Sequence, residues 1–240
     1  MSELYPPPPQ PPPPPPLRPQ TSGYDFLRPF AFVFDDPRWL QKVLIGGLFM
    51  LASIFIVGIF FIMGYVARLV RNVIAGEPFP LPEWDDLGEY FSEGLKLFVV
   101  SLIWYLPVII FAVLLGLPAI IMSAAQNEGL RNVGGGMLGC AWCFLFPLGF
   151  AISFFLPAAL LMVVTSRRFG AGFEFGHIWA FIHANIGNYL LAIVVYLVAR
   201  FVAGFGIALL CVGVLFTEFW GMVVTGFAFA QVWKLAKKTT

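Results

Sequence analysis

Five apolar runs constrain the fold of this 240-residue chain more than any other feature of its sequence. They lie at about residues 43–65, 97–125, 137–165, 189–214 and 219–233. A helix of about 20 apolar residues is long enough to cross the hydrocarbon of a bilayer. Hydrophobic residues make up 60% of the chain and charged residues 11%, so one soluble core could not bury the apolar surface. The sequence therefore predicts an all-α polytopic transmembrane helical bundle.

The N-terminal end has a different composition. Prolines fill positions 6–9 and 11–16 almost without interruption. Such a run forms an extended polyproline helix or a disordered tail, and it cannot enter hydrocarbon because its carbonyls have no internal partners. We divide the chain into a disordered proline-rich tail, residues 1–23, and a transmembrane domain, residues 24–240. The tail is a possible contact for a protein partner, and the alternative is a plain spacer.

Basic residues predict the orientation, because Lys and Arg are enriched in cytoplasmic loops. Lys234, Lys237 and Lys238 predict a cytoplasmic C-terminus, and Arg167 and Arg168 place the loop after the third run on the same side. We expect the N-terminal tail on that side too. The chain is therefore predicted to be a multi-pass protein of the cell membrane.

The path of the first run is ambiguous. If residues 43–65 cross once, then Arg38 and Lys42 lie outside, whereas a re-entrant helical hairpin keeps them in the cytoplasm. Charge favours the hairpin, with its turn between Ser53 and Gly58. That stretch is apolar and β-branched and holds no strong helix breaker, so a single crossing stays open.

The segment after the first run is the most distinctive part of the sequence. Residues 68–77 read Arg-Leu-Val-Arg-Asn-Val-Ile-Ala-Gly-Glu, and residues 80–86 read Pro-Leu-Pro-Glu-Trp-Asp-Asp. This pattern resembles the DUF4013 family of prokaryotic integral membrane proteins, a domain of unknown function, over about residues 24–233. Members of that family often carry a proline in the middle of the first run, where this sequence has Phe55 and Ile56. The resemblance implies a membrane domain and brings no catalytic or cofactor-binding residue.

An acidic amphipathic segment leads into the second run. We expect a helix with Pro82 as its first residue, so that Glu83, Asp85 and Asp86 lie in its first turn, where carboxylates complement the helix dipole. With Glu89 further along, the pattern is typical of a helix on the membrane surface. The alternative is a divalent-cation site, because hard cations bind clustered carboxylates.

Other reactive residues carry weaker signals. A second interfacial helix is predicted at residues 173–187, where His177 and His183 are too far apart on one helix to share a metal. Cys140 and Cys143 form a Cys-x-x-Cys pair inside an apolar run, which indicates packing more than redox chemistry. We therefore predict no cofactor and no metal site.

Six charged residues are candidate functional positions, namely Arg200, Arg68, Arg71, Asp85, Asp86 and Glu89. Arg200 lies near the middle of the fourth run, where a charge is costly and must face the protein interior or water. It lines a substrate or ion path, or it is a structural residue bonded to carbonyls freed at a proline kink. We expect no direct pairing with Glu218, because a simple hairpin puts the two at different depths. Arg68 and Arg71 either pair with the acidic helix or bind lipid phosphates.

Three functions remain open on the sequence alone. The first is a membrane accessory or scaffold protein that acts through lipid and protein contacts. The second is a small transporter or channel with Arg200 on its path. The third, ranked last because no nucleophile–base pair is visible, is a membrane enzyme that uses the carboxylates of residues 83–93 on lipid substrates. A net charge of +1 does not indicate the basic surface that binds nucleic acid. The sequence leaves the oligomeric state open.

Overall fold

The chain folds into helices joined by short turns in the computed structural model, which describes residues 23–208 and 213–237. Those residues contain no strand, so the all-α prediction is confirmed for them. The predicted disordered tail lies outside the described residues, apart from Gly23. The helices are α1 (Arg28–Asp35), α2 (Trp39–Ala52), α3 (Val57–Ala75), α4 (Leu87–Phe111), α5 (Leu117–Ser123), α6 (Glu128–Ser166), α7 (Phe175–Ala184), α8 (Ile186–Gly204) and α9 (Gly213–Ala236).

Within the described residues, five helices are long and apolar enough to cross a membrane. They are α3, the continuous helix Leu87–Ser123, α6, the segment Ile186–Ile207 and α9. A sixth is possible if α1 is counted with the segment Trp39–Phe55, although the two are bent by 108°. The predicted multi-pass membrane protein is therefore supported by helix length and composition.

The third span is longer than a simple crossing requires. Helix α6 has 39 residues, about 58 Å at 1.5 Å per residue, against about 30 Å of hydrocarbon. The helix before it is similarly long and holds a π-helical turn at Ala112–Gly116, directly before Pro118. Because proline has no N–H to donate, the carbonyl one turn earlier loses its partner and the local pitch widens.

The first apolar run is a helical hairpin. Helix α2 ends in a 3-10 turn at Ser53–Phe55, Ile56 reverses the chain with a φ of 67°, and α3 begins at Val57. Phe49 and Phe61 stack across the two helices with ring centroids 4.8 Å apart. The turn predicted between Ser53 and Gly58 is confirmed, although a β-branched residue in the left-handed region is strained.

A hydrogen-bonded turn replaces the missing helix breaker. The Ile56 N–H donates to the Ser53 carbonyl at 2.9 Å, and the Ser53 hydroxyl donates to the Phe49 carbonyl at 2.9 Å. A Cβ on Gly58 would overlap that same carbonyl, so only glycine permits this close start of α3. The reversal therefore leaves few polar groups unsatisfied, which its apolar surroundings require.

Helix α9 is the centre of the bundle. It packs against α2 and α3 on one side and against α8 on the other. Phe219 is fully buried beside Gly46, where a Cβ would overlap its ring, and Gly221 faces the carbonyl of Ala199 on α8. Small residues let helix backbones approach closely, which is the main source of helix packing in lipid.

The helices share one end that is rich in basic residues, which we call the basic end. It is defined by Arg71, Lys96, Arg167 and Lys234. Lys234 of α9 donates to the Val73 carbonyl of α3 at 3.5 Å. The first described residues reach the same place, since the Asp25 N–H donates to Gln231 at 3.3 Å and the Tyr24 hydroxyl to the Ala228 carbonyl at 3.4 Å. Burial raises the pKa of the Tyr24 hydroxyl.

Helix α7 matches the second predicted interfacial helix. Ile178 and Ile182 are buried against the bundle, and Phe175 and Trp179 beside them on the helix are exposed. An apolar strip that continues from the buried residues onto the exposed surface is typical of a helix that lies along a membrane surface.

Candidate functional site at the base of the hairpin

A buried ion cluster joins the two arms of the hairpin at the basic end. The Lys42 ammonium lies 2.6 Å from Asp36 Oδ2, 2.7 Å from Glu83 Oε1 and 2.8 Å from the Leu81 carbonyl oxygen. The Lys42 and Asp36 side chains are only 5% and 4% exposed. Three acceptors satisfy the three N–H donors of the ammonium, so its charge is compensated in an almost fully buried position.

Asp36 has a different role from the one its sequence pattern indicates. An aspartate followed by proline is typical of a helix that begins at the proline, with the aspartate as its cap, but α2 begins at Trp39 and not at Pro37. The Asp36 carboxylate instead accepts the Arg38 N–H at 2.8 Å with one oxygen and binds Lys42 with the other. The strong salt bridge to Lys42 sets the position of the carboxylate, and the helix starts two residues later than the cap pattern indicates.

The arginines of α3 pair with the acidic residues of α4. Arg68 Nη1 lies 2.6 Å from Glu89 Oε2, and Arg71 Nη1 lies 2.5 Å from Glu93 Oε2. The second Arg71 nitrogen, Nη2, is 3.6 Å from Glu89 and has no hydrogen-bond partner. Of the two expected roles for these arginines, pairing with the acidic helix is the one their observed contacts match.

The predicted start of the acidic helix is wrong. Helix α4 begins at Leu87, not at Pro82, so Glu83 and Asp85 precede the helix instead of lying in its first turn. Asp86 is the N-cap, and its carboxylate accepts the Glu89 N–H at 3.0 Å. An aspartate at an N-cap satisfies a donor that the helix cannot, which outweighs the preference of proline for the first helical position.

The loop before α4 is held between the helices by aromatic side chains. Trp84 stacks on Tyr65 at 4.2 Å and on Phe49 at 4.8 Å, and its indole N–H donates to the Lys42 carbonyl at 3.0 Å. The Tyr65 hydroxyl donates to the Pro82 carbonyl at 3.0 Å. The Trp84 side chain therefore packs between the helices of the hairpin and bonds to its base.

These anchors were missed as site residues by the sequence analysis. Lys42 was treated only as a topology signal, and Trp84 only as part of a distinctive motif. One available signal was a lysine at the edge of an apolar run with a carboxylate six residues before it. The pairing with Glu83, 41 residues later, has no local signature.

An open cleft of about 460 Å³ lies beside this cluster. Charged residues of both signs line it, including Arg38, Arg68, Glu77 and Asp85, together with Asn72. Asn72 donates to the Pro80 carbonyl at 3.0 Å, whereas Asp85 makes no ion pair within the described residues. Of the six candidate residues, Arg68 and Asp85 both line this cleft.

Arg200 lies far from this site and pairs with Glu218, against expectation. Helix α8 and its 3-10 extension end at Ala208, and α9 begins at Gly213, so Arg200 lies eight residues before the one end and Glu218 five residues after the other. The predicted fourth run extends to residue 214, which is too far and separates the expected depths of the two residues. The Arg200 side chain is 44% exposed on the outside of the α8–α9 pair, not inside the bundle.

The remaining reactive residues form no centre. Cys140 and Cys143 are exposed on α6, and Cys211 lies outside the described residues. His177 contacts Glu174 at 2.9 Å, and His183 lies beside Trp179. In the part of the chain that the structure describes, no three His, Cys, Asp or Glu side chains are placed to hold a metal ion.

Comparison with known proteins gives one match. The family DUF4013, described as a protein of unknown function, matches residues 47–212, which is more than half of the 240 residues. The resemblance drawn from the motif at residues 80–86 is thereby confirmed. No curated protein and no solved structure matches the chain.

Proposed function

We propose that this chain, which belongs to the DUF4013 family, is a membrane accessory protein that acts through contacts with lipid and with a protein partner. Its basic end faces the cytoplasm, and its hairpin enters the membrane from that side and returns to it. The observation that carries this proposal is the contrast between the two ends of the hairpin. The exposed residues of the tip, 54–57, are all apolar, and the base is held together by ion pairs.

The apolar tip supports a hairpin that ends inside the hydrocarbon. Ile54, Phe55, Ile56 and Val57 are all strongly exposed. A hairpin that crossed the whole bilayer would place these residues among headgroups or water, at a cost of several kcal/mol for burial forgone. Helix α3 has 19 residues, about 28 Å, and its last turns hold the charged Arg68 and Arg71, so the apolar part is shorter than a full crossing.

The paired base supports a structural use for most of the candidate residues. Arg68, Arg71 and Glu89 lie in ion pairs between α3 and α4, and Asp86 caps α4. Side chains committed to such contacts are poorly placed to bind and release a substrate. The charges therefore favour a protein that holds a shape in the membrane over one that transforms a ligand.

The orientation follows from the distribution of basic residues. Arg71, Lys96, Arg167 and Lys234 all lie at the basic end, whereas Arg131 near the opposite end pairs with Glu128. By the positive-inside rule the basic end is cytoplasmic. The first described residues lie beside α9 at that same end. We therefore place the proline-rich tail in the cytoplasm, where it can contact a protein partner.

Site-specific labelling tests the insertion and the orientation. In a background with all three cysteines replaced by serine, single cysteines are placed at Phe55, Gly170 and Asn127, and intact cells are treated with a membrane-impermeant maleimide. We expect labelling of Asn127→Cys from outside, of Gly170→Cys only after permeabilisation, and of Phe55→Cys in neither case. Labelling of Phe55→Cys from outside would overturn the re-entrant hairpin, and labelling of Gly170→Cys from outside would overturn the orientation.

Copurification tests the accessory role. The full chain is purified in native-lipid nanodiscs, and the associated proteins and lipids are identified by mass spectrometry, beside a chain that lacks residues 1–20. A partner present at a fixed ratio and lost with the tail supports the proposal. Two results together would favour the transporter over the accessory role. They are the absence of any partner, and a solute flux in proteoliposomes that Arg200→Leu abolishes without loss of folded protein.

A further inference from the structure

A second, smaller cavity opens at the basic end between α3, α4 and the end of α6. Its volume is about 130 Å³. Three basic side chains from three different elements line it, namely Arg71, Lys96 and Arg167, and Glu93 is the one acidic residue among its lining groups. Ligand pockets for drug-sized molecules are usually about 300–1,000 Å³, so this cavity suits a single small charged group.

The positive charge of the cavity exceeds what the protein itself neutralises. Glu93 contributes one negative charge and is bound to Arg71. The C-terminus of α6 adds the equivalent of about half a negative charge. Among the groups that line the cavity, three cations thus face about one and a half negative charges. Glu89, outside the lining, lies 3.6 Å from Arg71 but is shared with Arg68, and within the described residues neither Lys96 nor Arg167 makes an ion pair.

Arg71 also holds an unused donor at this place. Its Nη2 atom is buried and lies 3.6 Å from Glu89 Oε1, too far for a hydrogen bond, so it has no hydrogen-bond partner. A buried donor without an acceptor costs about 1–3 kcal/mol, and an anion in the cavity would remove that cost. Arg167 adds a second irregularity, because it has a φ of 55° at the end of α6, a conformation in which non-glycine residues are uncommon.

The surroundings indicate which kind of anion would bind. Of the apolar residues that line the cavity, Leu97 and Val163 are buried and Phe169 is 42% exposed, so an exposed apolar side chain adjoins the basic groups. A free anion gains nothing from such a surface, whereas a phospholipid places its phosphate and its acyl chains in this arrangement. Basic pockets between membrane helices on the cytoplasmic side are suited to anionic headgroups.

We propose that Arg71, Lys96 and Arg167 bind the phosphate of an anionic phospholipid of the cytoplasmic leaflet. The inference rests on the proposed function, because it requires the basic end to face that leaflet. It goes further by assigning a ligand class and a place. The lipid lies in the angle between α3, α4 and α6, its phosphate accepts hydrogen bonds from Arg71, Lys96 and Arg167, and its chains run past the exposed Phe169.

Lipid titration tests the site. The full chain, purified in a neutral detergent and stripped of lipid, is titrated with phosphatidylglycerol or phosphatidylcholine, and bound lipid is counted by native mass spectrometry. The variants are Lys96→Gln and Arg167→Asn, the latter because asparagine tolerates the left-handed conformation. The control is Arg168→Gln, which changes a neighbouring arginine that pairs with Glu174 outside the cavity.

We expect phosphatidylglycerol to bind tighter than phosphatidylcholine, with about tenfold weaker binding in each variant and about a hundredfold in the double variant, as expected for charge-assisted hydrogen bonds. Lys96→Arg and Arg168→Gln should bind like the parent. Three results would each overturn the proposal. They are equal binding of both lipids, a loss of lipid binding in Arg168→Gln as large as in the cavity variants, and full displacement of bound lipid by inorganic phosphate with no lipid preference. Maleimide labelling reports the orientation independently, so a failed titration with normal labelling refutes only the lipid site.

Discussion

Replacement of Lys42 by methionine should destabilise the protein more than any other single loss of charge at the basic end. The substitution keeps the length and the apolar stem of the side chain, so packing is little changed. It removes the ammonium that lies 2.6 Å from Asp36 and 2.7 Å from Glu83. Glu83 keeps Arg38 as a partner at 2.7 Å, but Asp36 is left as a buried carboxylate without a cation.

The expected loss of stability follows from the Asp36 carboxylate that is left buried without a cation. Breaking a buried ion pair by removing one partner costs about 3–5 kcal/mol. In a chain of this size each kcal/mol lowers the melting temperature by about 2–4 °C, so Lys42→Met should melt about 6–20 °C below the parent. The double variant Asp36→Asn, Lys42→Met removes both buried charges and should recover a large part of the loss.

Thermal unfolding in detergent, followed by tryptophan fluorescence, measures these shifts and closes a double-mutant cycle. Arg168→Met is the matched control, because its ion pair with Glu174 is exposed and such pairs contribute about 0–1 kcal/mol. A shift for Lys42→Met no larger than that of the control would refute the buried cluster. So would a double variant that is as unstable as the sum of the two single variants.

Variants at three further sites, with their controls, probe other parts of the fold by the same unfolding assay. Gly94→Ala should lower the melting temperature clearly, because a Cβ there would overlap a carbonyl of α3, whereas Gly139→Ala, with nothing within 4 Å, should not. Asp86→Ala should cost about 1 kcal/mol through loss of the N-cap of α4, and an unchanged melting temperature would contradict that role. Arg200→Leu should destabilise by leaving Glu218 unpaired among apolar residues, and adding Glu218→Gln should restore part of the loss; if it restores none, the pair does not form.

The helices were predictable because their signal is local. A run of about 20 apolar residues has few alternatives to a membrane helix, and every predicted run overlaps a helix of the structure. The boundaries were less accurate, since helix ends depend on which polar group caps them. Pro82 and Asp86 both fit a helix start, and only the geometry of the loop shows that Asp86 has that role.

The contacts at the base were not predictable from one sequence, because they join residues far apart in the chain. Lys42 meets Leu81 and Glu83 only after the hairpin has closed and the loop has folded back. Arg200 and Glu218 are a second example. The predicted end of the fourth run was a few residues too late, and for that reason we expected that the two residues would not pair. A helix advances about 1.5 Å per residue, so a misplaced turn moves a charge by more than the reach of an ion pair.

The distribution of charge in this protein follows from what lipid can and cannot stabilise. Lipid chains are as apolar as leucine, so burial of apolar side chains gives little drive for helices to associate. A hairpin with an apolar tip must then be held by close backbone packing and by polar contacts. The structure uses both: Gly46 and Gly94 let the helices approach, and the charges gather at the base. Charges in such a chain therefore indicate first where the helices are held together, and Lys96 and Arg167, which line one cavity and make no ion pair within the described residues, point to a ligand.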